Sequence, residues 1–117
     1  MSETKSEILQ GTLDLMVLQT LAAMGPLHGY GIARRIEQLS EHALVVNQGT
    51  IYLCLIRLVQ RKWIKATWGL SENNRKAKFY SITKAGQKQL KTETEDWQRV
   101  SGVIGRLLQL TAGDKTS

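Results

Sequence analysis

Several features that usually declare a protein's chemistry are scarce here. The 117 residues include one cysteine, one proline and two histidines. A lone cysteine, Cys54, excludes an internal disulfide framework. Its position near the buried side of a helical pattern marks an inert core thiol rather than a nucleophile. His28 and His42 have no cysteine or carboxylate cluster at ligand spacing, so no metal site is expected. The segment "HGYGIARR" fits neither G-x-x-x-x-G-K nor G-x-G-x-x-G, which excludes the common phosphate loops. With no nucleophile–base pair in view, neither an enzymatic activity nor a cofactor is expected. Long apolar runs are missing too: none reaches the ~18 residues of a membrane span. The start, "MSETKSEI", lacks the basic opening and apolar run of a secretory signal. The expectation is a cytoplasmic protein with no membrane partner.

What is present points elsewhere. Apolar residues make up 42% of the chain, enough for a modest core and against disorder over most of its length. Sixteen Lys and Arg against ten Asp and Glu leave a net charge of +6. Such an excess attracts polyanions, of which nucleic acid is the commonest large one.

The first helical pattern, "SEILQGTLDLMVLQTLAAM", is apolar nearly all round and ends at Pro26. Ile8, Leu9, Leu13, Met16, Leu21 and Met24 could line one face, while Leu15, Val17 and Leu18 crowd the remainder. Such a helix is buried on more than one side, which suggests a second subunit. Residues 1–6 and 112–117 are polar, small and expected to fray. A second helix is predicted from His28 or Gly29 to about Ser40, with Ile32, Ile36 and Leu39 as its apolar stripe. His28 there resembles a turn or cap residue.

Asn47 is a good N-cap for a third helix. On a helical wheel Ile51, Leu55 and Leu58 form its core stripe. Gly49, Thr50, Leu53, Ile56, Arg57 and Gln60 occupy the opposite arc, with Tyr52 at the border. The period then changes to two: "WIKATW" and "KFYSI" read as strands joined through "GLSENNRKA", a hairpin with a long exposed loop. Thr83 can cap a last helix of roughly 25 residues. Leu90, Trp97 and Ile104, and beside them Val100 and Leu107, recur by seven as in a seam against another helix.

Three helices followed by a hairpin is the order of a winged helix-turn-helix, mostly α with a small β-hairpin. In it the third helix enters the major groove and the hairpin loop reaches the backbone or the minor groove. Gln48 and Thr50 could then bond base edges or phosphates, and Leu53 and Ile56 could meet thymine methyl groups. Arg57 could reach a phosphate or a guanine. Asn73, Asn74, Arg75, Lys76 and Lys78 form the densest polar-basic patch, suited to phosphate contact.

The motifs resemble the PadR family of bacterial transcriptional regulators. "GTLDLMVLQTLAAMGPLHGYGIARRI" is similar to the family's opening, "GTIYLCLIRL" to its third-helix pattern, and "KAKFYSITKAGQKQL" to its wing strand and the start of its last helix. The resemblance covers about residues 8–110. It implies a winged-helix domain over 1–82 and a C-terminal dimerisation helix over 83–112. Implied too is a homodimeric, ligand-responsive repressor that binds double-stranded DNA at a pseudo-palindromic operator. The resemblance implies DNA contact by Tyr30, Arg34, Gln48, Thr50 and Tyr52, with Asn74, Arg75 and Lys76 on the wing; to these the reading of the residues themselves adds Gly49, Ile56, Arg57 and Lys78. Leu13, Leu90, Trp97, Val100, Ile104 and Leu107 would build the dimer, and Trp97 matches a position that in some small members lines an apolar pore between subunits, where a small aromatic effector could stack; the alternative is that Trp97 is packed core. Two departures stand out: Leu53 replaces the family's usual proline, and Val59 replaces an acid, which leaves the geometry of the helix end open. The alternative is a winged-helix protein–protein interaction module without DNA binding, anchored by Leu53 and Ile56.

Overall fold

The computed structural model describes residues 2–113, with side chains from residue 11 onward. Residues 1 and 114–117 and the facing of Ile8 and Leu9 lie outside that description; residues 2–6, expected to fray, form the first turn of a helix instead. The element order is α1 (Ser2–Met24), β1 (Leu27–His28), α2 (Gly29–Leu39), α3 (Gln48–Gln60), β2 (Ile64–Leu70), β3 (Lys76–Ile82) and α4 (Lys84–Leu108).

Local chemistry sets each boundary. Gly25 follows α1 in the left-handed region (φ 83°), where a residue without a Cβ ends a helix freely, and Pro26 prevents its return. The cap expectations are met. His28 Nδ1 accepts from the Gly31 amide, Asn47 Oδ1 from Gly49 and Thr50, and Thr83 Oγ1 from Gly86. α3 closes in a Schellman turn: the amide of Trp63 donates to the carbonyl of Leu58 and that of Lys62 to Val59. Backbone bonds close this end and the Thr83 hydroxyl donates to the Lys62 carbonyl beside it, neither of which needs an acid in place of Val59. Leu53, without proline's missing N–H, sits inside an unbroken helix.

The core lies where α1, α2, α3 and the base of the hairpin meet. Leu13, Val17, Leu18 and Leu21 of α1 pack with Ile32, Ala33, Ile36, Ile51, Cys54, Leu55, Leu58, Ile64 and Tyr80. This corrects the reading of α1. Val17 and Leu18 are fully buried, whereas Met24 is exposed, because α2, α3, β3 and α4 all pack around the helix. Leu39 is likewise exposed, since α2 runs past the core at its last residue.

The hairpin also differs from expectation. Its strands reach to Leu70 and from Lys76, in antiparallel register from Ile64 opposite Ile82 to Leu70 opposite Lys76. The long loop expected between them is a short turn. Ser71 and Arg75 are bonded across it, and Asn74 adopts the left-handed conformation (φ 61°) that closes such turns. β1 makes a third strand, pairing Leu27 with Tyr80 and His28 with Phe79, so the sheet order is β1-β3-β2. Two residues after a proline leave too little alternation to announce a strand.

α4 starts on the core and then leaves it. A Cβ on Gly86 would overlap the Trp63 carbonyl, so the first turn lies directly on the α3–β2 junction. Farther along, α4 packs on α1 and projects. The radius of gyration is 17.2 Å, against roughly 13 Å for a compact domain of about 100 residues.

Candidate nucleic-acid interface

The first turn of α3 presents its polar residues outward because the apolar ones are taken up inside. Ile51, Leu55 and Leu58 are buried as the wheel requires, and Cys54 joins them. Gln48, Gly49, Thr50, Tyr52 and Gln60 are exposed on the far side. Leu53 is 60% and Ile56 37% exposed, so both aliphatic side chains face outward without a partner element covering them.

Two further elements flank that helix. Tyr30 and Arg34, one turn apart on α2, are held together: Arg34 Nη1 donates to the Tyr30 hydroxyl at 3.2 Å. The Arg34 guanidinium also lies 5.7 Å from the Tyr30 ring centroid. On the wing, Asn73, Asn74, Arg75, Lys76 and Lys78 are exposed. Between α2, α3 and the wing runs an open cleft of about 670 Å³, lined among others by Tyr30, Gln48, Tyr52, Trp68, Arg75, Lys76 and Lys78. Ten to twelve ångströms, roughly the width of a helix with side chains, is also the width of a major groove, so the exposed face of α3 has the size such a groove admits.

Trp68 is a component that the strand alternation did not single out. It is exposed on β2, and the ammonium groups of Lys76 and Lys78 each lie 5.5 Å from its ring. The ring thus steers two flexible cations without consuming their hydrogen-bond donors. Its place opposite Lys78 was already implied by strands ending at Trp68 and beginning at Lys78; Lys76, assigned to the loop, is the cation that extending the strand would have added.

Arg57 sits differently from the other residues expected at DNA. Its Nη2 donates to Asp14 Oδ1 on α1 at 2.6 Å, and its side chain is largely sheltered. This basic group turns inward because a buried carboxylate requires a countercharge. The expected apolar seam divides as well. Leu13 is 4% exposed and belongs to the chain's own core, and Leu90 packs half-buried against that core. Both therefore act first within the chain, a correction that follows from α4 starting on the core. Trp97, Val100, Ile104 and Leu107 are exposed, and Val103 and Leu108 extend the row. Trp97 lines a shallow groove between α4 and α1 with Thr12, Leu15 and Val100. Among the described residues no cluster could hold a metal ion, and no helix is long and apolar enough to cross a membrane.

Comparison with known proteins gives this geometry a context. The model of the transcriptional regulator PadR-like family matches residues 17–92. A transcriptional regulator from Clostridium thermocellum superposes with a TM-score of 0.79 at 27% identity, over 88% of this chain and 99% of the other. A PadR-like transcriptional regulator from Bacillus cereus does so at 0.76 and 28%, over 90% and 99%. Protein X of Lysinibacillus sphaericus is 26% identical over 90% of this chain and 95% of its own length.

Proposed function

The chain belongs to the PadR-like family of transcriptional regulators, and from that membership we propose that it is a homodimeric repressor that binds a pseudo-palindromic operator in the cytoplasm. One observation carries the reading. The polar first turn of α3, the Tyr30–Arg34 pair and the wing cations border one cleft, while the apolar row of α4 remains open to a partner. The first is a surface for duplex DNA; the second suits a second copy of the same chain.

In this reading Gln48, Thr50 and Tyr52 meet base edges, Leu53 and Ile56 meet thymine methyl groups, and Gly49 allows close approach of the helix start. Asn74, Arg75, Lys76 and Lys78 bind phosphate, and Tyr30 and Arg34 hold the flanking strand. Two such surfaces, joined through α4 in a dimer over residues 83–112, would occupy half-sites about 34–36 Å apart. Repression follows from occlusion of the promoter. An aromatic effector stacked on Trp97 between subunits would favour a spacing of the two helices that no longer matches the half-sites.

The test is binding to the promoter upstream of its own reading frame, in intact and scrambled form, at low and high salt. Tight retention of an inverted repeat, weakened by salt, supports the reading. Absence of binding even at low salt favours a protein–protein module instead. For the effector, aromatic compounds should quench wild-type fluorescence and weaken DNA binding, and Trp97→Phe should lose the quenching. Quenching that persists in Trp97→Phe would place the ligand elsewhere, since Trp63 and Trp68 also emit.

A further inference from the structure

Asp14 on α1 makes polar contacts to α3 at the edge of the apolar core. Asp14 is 7% exposed. Its Oδ1 accepts from Arg57 Nη2 at 2.6 Å and from the Cys54 thiol, Sγ at 3.1 Å. Both donors come from α3 and are three residues apart, so they lie along one side of that helix. An apolar residue could fill the site with less desolvation cost. What the carboxylate adds is direction.

The apolar contacts of Ile51, Leu55 and Leu58 set how deep α3 sits, but, being non-directional, they leave its fine rotation about its own axis less sharply fixed. Hydrogen bonds converging on one oxygen fix it more sharply, because they weaken steeply with angle. The outward residues Gln48, Thr50, Tyr52, Leu53 and Ile56 turn with the helix. A roll of about 20° moves a side-chain tip some 5–6 Å from the axis by about 2 Å, enough to break a hydrogen bond to a base.

We infer that Asp14 is a positioning residue for sequence readout. By holding Arg57 and Cys54 it fixes the roll of the DNA-facing helix. Because α1 also packs against α4, Asp14 ties that roll to the helix carrying the exposed apolar row. The inference rests on the regulator reading above and gives Arg57 a role exercised through Asp14.

The experiment uses full-length protein. Wild type first selects a motif from a random-duplex library. Fluorescence anisotropy then compares that motif with a scrambled duplex across a salt series for Asp14→Ala, Asp14→Asn, Arg57→Met and the Asp14→Ala/Arg57→Met double variant, beside thermal melts. Asp14→Ala should lose about tenfold or more on the motif and bind the scrambled duplex as wild type does. Asp14→Asn keeps an acceptor oxygen in place and should retain most of the discrimination, although both variants melt lower. Arg57→Met should lose discrimination with an unchanged salt slope, and the double variant should lose little more than either single.

Equal losses on both duplexes, additive losses, or discrimination that follows melting temperature across the two Asp14 variants would overturn the role. Should Asp14→Ala not fold, Arg57→Met decides alone. Loss on both duplexes with a shallower salt slope would make Arg57 a phosphate contact and overturn the inference. A wild-type chain that enriches no motif overturns the regulator reading and this role with it. Enrichment by wild type with unaltered discrimination in Asp14→Ala overturns the positioning role alone.

Discussion

Replacing Arg75 and Lys76 together by alanine should make DNA binding measurably less sensitive to salt. Both side chains are exposed at the wing tip, and Lys76 is poised beside the Trp68 ring. Each phosphate contact contributes about 0.9 to the slope of log affinity against log salt. Losing two contacts lowers the slope by about 1.8 if one wing is engaged and by about 3.6 if a dimer uses both. Between 50 and 200 mM salt a difference of about 1.8 changes the ratio of affinities by roughly twelvefold. The larger figure changes it by roughly 150-fold. The assay is anisotropy of a labelled duplex at four or more salt concentrations, with a melt to establish folding. Neither residue touches the core, so stability should remain within about 0.5 kcal/mol. A folded variant with the wild-type slope would refute phosphate contact by the wing. A reduction near the smaller value would refute engagement of both wings.

Other consequences concern packing, assembly and pH. Gly86→Ala forces a Cβ onto the Trp63 carbonyl and should cost about 2–3 kcal/mol, read as a lower urea midpoint; an unchanged midpoint would mean that α4 starts elsewhere. Val100→Glu with Ile104→Glu places charges in the exposed apolar row and should give monomers in sedimentation without lowering helix content, whereas an intact dimer would move the interface off this row. Burial, and then the neighbouring Asp14 carboxylate, push the Cys54 thiol above its ordinary range. The folded state therefore retains a proton that the unfolded state releases above pH ~8.5, so stability should fall with rising pH by up to about 1.4 kcal/mol per unit. Cys54→Ser should show a shallower decline from pH 8.5 to 10, and parallel curves would contradict the assignment.

Much of the fold was legible because its signals are local. Asn47 and Thr83 cap the helices they were expected to cap, and the periodicity of Ile51, Leu55 and Leu58 identified the inner face of α3. Long-range facts were less accessible. Nothing in the sequence of α1 distinguishes Val17 from Met16, since four elements surround the helix and the buried side depends on where each docks. The inward turn of Arg57 depends on Asp14, which precedes it by 43 residues. The polar face of the candidate site could be read by spacing alone. Its anchoring could not, because a wheel assigns angles around one helix and says nothing about the partner opposite. The Trp68 cluster was only half legible: Lys78 lay opposite it at the strand ends, but Lys76 had been assigned to a loop begun too early.

The most direct measurement of the central claim is the stoichiometry and footprint of the protein on an inverted repeat that it selects. Sedimentation of the complex with hydroxyl-radical footprinting should show two chains per duplex and two protected patches about one helical turn apart. A single chain per duplex with one patch, or a duplex left unprotected in dilute buffer, would contradict it.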